Sequence, residues 1–321
     1  MIYIGIDTSN YTASVAAVDD DKCVSKRQIL NVKQGERGIR QSEGVFQHMK
    51  LLPALYRAAA VDIDMSSVCA VGVSVKPRNT EGSYMPVFLA GHGYAKVIAD
   101  TLGVPLIEFS HQDGHIMAGI YSARAYELFD GNFLSVHLSG GTTEILKSTY
   151  AGGRFENEII GGTKDISAGQ YIDRVGVKLG MHFPAGKHME EEALKTEKYV
   201  KLRVNTDGAY MSFSGVETKA SRMADEGGVP PLARGVLISV AEALVKTINR
   251  AIDKTAADRV LIVGGVASNS IIRQMLCDEI NGRVYFAKKE YSTDNAVGTA
   301  VLAREFTERG YGSENRNSIA D

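Results

Sequence analysis

Only three cysteines occur in the 321-residue chain, Cys23, Cys69 and Cys277, and no two of them form a CxxC pair. That scarcity excludes a disulfide framework and a zinc ribbon and leaves buried structural thiols as the expectation. No apolar run approaches the roughly 20 residues needed to cross a bilayer, so no membrane partner is expected. The opening MIYIGIDTSN has no basic region followed by a cleavage site, and a cytoplasmic protein is expected. Charge of one sign is missing too, because a formal net charge of −2 offers nucleic acid no global attraction. Local basic groups at Lys22, Lys26 and Arg27, or at Arg37 and Arg40, read first as a solvated strand edge or loop. The first strand lacks a following GxGxxG, which removes a doubly wound dehydrogenase. What remains is an ordinary globular composition, 44% hydrophobic and 23% charged, on a chain long enough for two domains or one duplicated fold.

The segment MIYIGIDTSNYTASVAAVDDDKCVSKRQILNVK reads as three strands in a meander. Residues Val45 to Ala60 and Val87 to Leu102 read as helices around the strand CAVGVSVKP, and PLIEFS is a last short strand. The same order returns from NFLSVHLSGGTTEILKSTYAGGRFENEIIGG onward. A long helix is marked by Leu237, Val240, Ala241, Leu244, Ile248 and Ile252, followed by RVLIVGGVASN, RVYFAKK and a final helix from Thr293 to Phe306. The segment from about 165 to 228 is extra, mostly helical and polar, and is expected to form a lobe. The expected division is 1–130, 131–309 and a frayed tail at 310–321. Two βββαβαβ copies with an inserted helical lobe match the α/β architecture of the actin, Hsp70 and sugar-kinase superfamily, in which a nucleotide sits between the halves.

In this architecture two glycine-containing turns, GIDTSN and SGGTTE, can turn backbone amides toward phosphate. The second, Ser139 to Thr143, is the stronger candidate, with an ordinary hairpin turn as the alternative. Gly264 and Gly265 follow a strand, and Asn269 opens a helix where a base or ribose can be received. In FSHQDGHIMAG, Ser110 is a candidate N-cap with Asp113 three residues on, so a helix should carry His111 and His115 on one face. A metalloprotease HExxH needs glutamate where Gln112 stands, which argues against proteolysis. Two histidines alone more often satisfy a structure than bind metal. A third ligand reverses that, and Asp294 in YSTDNAVG is the candidate, giving a His, His, Asp set suited to iron or zinc.

Taken in order, GIDTS, RQSEGVFQH, HQDGH, LSGGTTEIL, SAGQYIDRVGVKLGMHFPAG, MSFSG, GGVASN and STDN resemble the tRNA N6-adenosine threonylcarbamoyltransferases, a family once read as glycoproteases. The similarity runs over nearly the whole length. It implies one divalent metal, iron or zinc, on His111, His115 and Asp294. It implies an adenylate-contacting turn of His137, Leu138, Ser139, Gly140 and Gly141, with Asp173, Gly186 and Glu190 near the ribose and Asn269 near the nucleotide. The implied donor is a threonylcarbamoyl adenylate made by another enzyme, and the implied acceptor is N6 of adenosine 37 in tRNA, with AMP as the leaving group. A second related protein of the same fold and a small ATPase are implied as partners. The helix face of Leu51, Leu52, Leu55 and Tyr56 is either their docking surface or buried core.

The chain departs from the family at several points. Asn10 and Tyr11 stand where members follow GIETSC with an acidic pair, and KPRNTEGSYMP, with Lys76 and Arg78, replaces a Gly-Pro-Gly loop. SGGHTQ has become SGGTTE, the lobe's paired aspartates reduce to Asp165 followed by Ile166, Gln170 replaces a glutamate, and Glu217 replaces a lysine. The reading is a divergent paralogue that carries out metal-dependent threonylcarbamoyl or related acyl transfer to tRNA or another amine. The alternatives are a non-catalytic nucleotide-binding scaffold and an ATP-dependent kinase of the same fold, in which the histidine pair has no role.

Overall fold

The computed structural model describes residues 1–9, 11–32, 39–224 and 228–311; Asn10, Arg37 and the expected tail from 312 lie outside the described residues. The chain divides into two compact units. Unit 1 comprises Met1–Tyr126, Tyr150–Glu156 and the chain from Glu290, and unit 2 comprises Glu127–Thr149 and Asn157–Lys289.

Unit 1 is built on β1 (Ile2–Thr8), β2 (Thr12–Val18), β3 (Cys23–Ile29), α1 (Gln41–Ala60), β4 (Val68–Lys76), α2 (Phe88–Leu102), β5 (Leu106–Ser110) and α3 (His111–Ala123). Its sheet runs β3-β2-β1-β4-β5, antiparallel through the meander and parallel from β1 to β4 to β5. IYIGIDT and TASVAAV are buried at every position, the pattern of strands covered on both faces. Leu52 is buried, and Leu55 and Tyr56 pack beside it on the core of this sheet, so that face of α1 is largely interior.

Unit 2 is built on β6 (Asn132–Leu138), β7 (Thr143–Ala151), β8 (Arg154–Thr163), α4 (Ala168–Lys178), α5 (Gly186–Ala193), β9 (Asn205–Asp207), β10 (Tyr210–Ser212), α6 (Ser214–Met223), α7 (Val229–Thr255), β11 (Arg259–Val263), α8 (Ser270–Glu279) and β12 (Arg283–Phe286), with the end of β7 and the start of β8 counted in unit 1. The sheet order is β12-β11-β6-β7-β8-β10-β9. The final helix, α9 (Val297–Glu308), belongs to unit 1.

Three expectations need correction. The extra segment is not simply helical and polar: its hairpin β9-β10 joins the sheet beside β8, and Tyr171, Met189, Leu202 and Phe213 lie in the main core cluster of unit 2. Apolar residues at alternate positions, as in Leu202 and Val204, supply that anchor. The last helix starts at Val297 rather than Thr293, because Asn295 accepts the Val297 N–H at 3.0 Å and sets the helix start beyond Asp294. The thiols are free but not buried, with Cys277 exposed and Cys23 and Cys69 partly so. Lys22, just before β3, and Lys26 and Arg27 on it lie along an edge strand as read, with Lys22 and Arg27 exposed; Lys22 donates to Asp62 O at 2.8 Å, Lys26 pairs with Asp62 at 3.2 Å, and Arg27 reaches Thr293 at 2.6 Å. Among the described residues no helix is long and apolar enough to cross a membrane.

Candidate functional site

The first turn of α3 is fixed by a capping box. Ser110 Oγ accepts from Asp113 N at 3.1 Å, and Asp113 Oδ2 accepts from Ser110 N at 3.2 Å. Asp113 also takes a 2.6 Å bond from Asn79, so its carboxylate is held away from the histidines. His111 and His115, one turn apart, bring their Nε2 atoms to 2.9 Å of each other. Asp294 Oδ1 lies 3.2 Å from His115 Nε2 and 3.6 Å from His111 Nε2. Bonds of about 2.0–2.1 Å in a tetrahedron set donors roughly 3.3 Å apart, so two imidazole nitrogens and one carboxylate oxygen at these separations fit a single cation. Among the described residues this is the only group of three metal-ligand side chains so gathered.

Asp7, at the end of β1, was not singled out as a ligand partner from sequence. Its Oδ1 lies 2.9 Å from His111 Nδ1, which fixes the ring and leaves Nε2 facing His115 and Asp294. Burial opposes charge on His111, yet the carboxylates of Asp7 and Asp294 overcome it and hold its pKa up at about 10. Burial likewise opposes charge on Asp7 and on Asp294. The imidazole of His111 holds Asp7 below the usual carboxylate range, and both histidines hold Asp294 well below it. Two carboxylates thus flank the His111 ring and favour positive charge there.

Glycines decide how Asp294 reaches the histidines. A Cβ on Gly298 of α9 would lie 1.8 Å from Gly114 O and 2.7 Å from Ala118 N of α3, so the two helices cross backbone to backbone. A Cβ on Gly5 would meet Ala296 O at 2.3 Å, and one on Gly72 would meet Thr299 O at 2.6 Å. Small residues on β1, β4 and α3 thus let α9 settle deeply, and the turn preceding it delivers Asp294.

The nucleotide candidates lie in unit 2. His137 and Leu138 end β6, and Ser139 N donates to Thr142 O at 2.9 Å to close the turn. Gly140 and Gly141 are exposed, and a Cβ on either would meet nothing within 4 Å. Gly140 O accepts from Ser167 Oγ at 2.7 Å, and Gly169 packs so closely that its Cβ would sit 2.5 Å from Gly140 Cα, which seats the N-terminus of α4 against the turn. Gly264, at φ +105°, abuts Leu138 O, where a Cβ would lie at 2.2 Å; Gly265 begins the short 3-10 turn that follows. Asn269 caps α8 as expected, accepting from Ile272 N at 3.0 Å. Glu190 accepts from Ser270 N at 2.7 Å, joining α5 to that cap. Asp173 is occupied with the turn into α5, accepting from Ala185 N at 2.8 Å next to Gly186. Burial raises its pKa despite that bond.

A groove of about 460 Å³, also in unit 2, is lined by Arg203, Lys246 and Arg250 together with Val204, Asn205 and Thr206. Lys246 and Arg250 are exposed one turn apart on α7, and Arg250 is held by Gly208 O at 3.2 Å. Sequence reading missed this surface. Its signal was the i, i+4 basic pair on the polar side of a long helix.

A family model described as tRNA N6-adenosine threonylcarbamoyltransferase matches residues 26–301. The tRNA N6-adenosine threonylcarbamoyltransferase of Christiangramia forsetii is 31% identical over 265 residues, covering 77% of this chain and 75% of that protein. The one from Archaeoglobus fulgidus is 27% identical over 315 residues, covering 97% of this chain and 93% of that protein. Among solved structures, T. kodakarensis HypF aligns with a TM-score of 0.59 at 14% identity; the match covers 97% of this chain, which spans about half of HypF, 48%. At that identity the likeness shows the fold alone, the α/β actin/Hsp70/sugar-kinase-like architecture.

Proposed function

The chain belongs to the tRNA N6-adenosine threonylcarbamoyltransferase family, and on that premise we propose that it transfers a threonylcarbamoyl or related acyl group from an acyl adenylate to N6 of adenosine 37 in tRNA. The observation that carries this reading is the convergence of His111, His115 and Asp294 on one point. These residues would hold one divalent ion, iron or zinc, whose Lewis acidity, when bound, polarises the acyl carbonyl or the neighbouring carboxylate. Asp7 keeps the His111 ring oriented, so that Nε2 is the nitrogen offered to the site.

In unit 2 the open backbone of Gly140 and Gly141 suits the phosphate of the adenylate, and Asn269, with Glu190 beside its helix, suits the ribose and base. The amine nitrogen bonds to the acyl carbon, the bond from that carbon to the phosphate oxygen breaks, and AMP leaves with the electron pair while the amine proton passes to solvent. The groove of Arg203, Lys246 and Arg250 offers phosphate contacts for the acceptor RNA. The proposal includes the adenylate-forming enzyme, a related protein of the same fold and a small ATPase as partners.

A second reading, a non-catalytic scaffold, is favoured by Gln170, which stands where the family carries a glutamate and whose amide oxygen is engaged by Ser167 N at 3.1 Å. One experiment separates the two. The wild-type chain should retain one iron or zinc ion and support transfer with its partners and acyl adenylate, and the His111→Ala, His115→Ala double variant should lose both. Wild-type-like support by the double variant of tRNA modification carried out by a partner family enzyme would favour the scaffold.

A further inference from the structure

We infer that Arg27 is a positioning residue for Asp294, acting from outside the proposed ligand set through the turn that carries it. The inference rests on the proposed His111, His115, Asp294 site. Arg27 lies on β3, the edge strand of the unit 1 sheet, and its side chain is exposed. Its Nη1 donates to Thr293 Oγ1 at 2.6 Å, with Glu290 O at 3.3 Å and Asp294 O at 3.5 Å as weaker partners. These acceptors lie on a stretch that belongs to no strand or α-helix, Glu290 within the short 3-10 turn Lys289–Tyr291 and the other two between that turn and α9.

From the other side, Asn295 fastens the same turn. Its Nδ2 donates to Thr293 O at 2.7 Å and Tyr291 O at 3.2 Å, and its Oδ1 accepts from Val297 N, the first residue of α9, at 3.0 Å. Tyr291 also meets Tyr121 of α3 edge to face, with ring centroids 6.0 Å apart. Asn295 fixes the shape of the turn, but its bonds are internal to the turn and to the start of α9. Arg27 ties the turn to the sheet whose β1 carries Asp7. The placement of the third ligand against the histidines is therefore set in part by a guanidinium that touches none of them. Outer-shell groups that orient ligating side chains are worth about ten- to a hundredfold in metal affinity, and Arg27 acts in the same sense through the ligand's turn.

The test is titration of Zn2+ into the full chain under chelator competition, alongside thermal melting by circular dichroism. Arg27→Ala should weaken Zn2+ binding about ten- to a hundredfold while leaving the melting curve close to wild type. Arg27→Lys should recover part of the affinity, because a single nitrogen makes all three contacts. Lys26→Ala, which removes a neighbouring tie of the same strand, should leave affinity unchanged. Wild-type affinity in Arg27→Ala overturns the inference and leaves the ligand set standing, whereas a wild-type chain that takes no Zn2+ overturns both. Should Arg27→Ala not fold, Thr293→Val removes the 2.6 Å acceptor alone, and unchanged affinity there overturns the inference equally.

Discussion

Replacing Gly298 with alanine adds one methyl group where α9 crosses α3. That methyl would stand 1.8 Å from Gly114 O, while real contacts of this kind are not found under 3.0 Å, so the helices must part by about 1.2 Å. Helix propensity alone favours alanine by about 1 kcal/mol. Overpacking against backbone costs about 1–3 kcal/mol, and a collision with a carbonyl belongs at the upper end, leaving a net loss of about 1–2 kcal/mol. At roughly 2–4 °C per kcal/mol for a chain of this general size, the melting temperature should fall by several degrees. The effect on the site should be larger. Metal–ligand distances tolerate about 0.2 Å, and α3 carries both histidines while α9 follows Asp294, so Zn2+ affinity should fall at least about tenfold. Melting by circular dichroism and Zn2+ titration of the same preparation measure both quantities. A Gly298→Ala chain that melts no lower than wild type and binds Zn2+ equally well would refute the claim that this crossing sets the site.

Asp165 accepts from Phe213 N at 2.8 Å, Ser214 N at 3.1 Å and Ser214 Oγ at 2.6 Å, so it caps α6 from a distant part of the chain. Asp165→Ala should cost about 1–2 kcal/mol. Burial acts to raise the Asp165 pKa, but the hydrogen bonds from Ser214 and Phe213 outweigh it and hold the carboxyl below its usual range. Its contribution is therefore complete above the ordinary carboxylate pKa of about 4 and is lost as the pH falls through the lower folded value. Melting curves of wild type and Asp165→Ala should converge in acid, and a gap that persists there would show that the charge is not what stabilises α6. For the basic groove, Lys246→Glu with Arg250→Glu should weaken tRNA binding and reduce the slope of log affinity against log salt by roughly one to two. Fluorescence anisotropy across a salt series measures this, and an unchanged slope would exclude those two residues as phosphate contacts.

The elements whose cues are local were legible in the sequence. Ser110 and Asp113 announce the start of α3 three residues apart, and the spacing of His111 and His115 puts both on one helix face without further information. Asn269 reads as a cap for the same reason, and the repeated order of strands and helices identifies the duplicated fold. The family motifs pointed to Asp294 as the proposed third ligand, although local pattern began its helix at Thr293, before the bond from Val297 N to Asn295 Oδ1 was visible. Tertiary structure decided the rest. Asp7 lies 104 residues from His111 along the chain, and only the β1-β4-β5 arrangement brings its carboxylate to Nδ1. Gly5, Gly72 and Gly114 look like scattered small residues until α9, with its own Gly298, is laid across them. Arg27 reads as one basic residue on an edge strand until the turn at 290–294 supplies its acceptors. Caps and helix faces depend on neighbours within a turn or two, which the sequence states directly, whereas the orientation of a ligand depends on backbones meeting across hundreds of residues, where the absence of a single methyl group sets the distance.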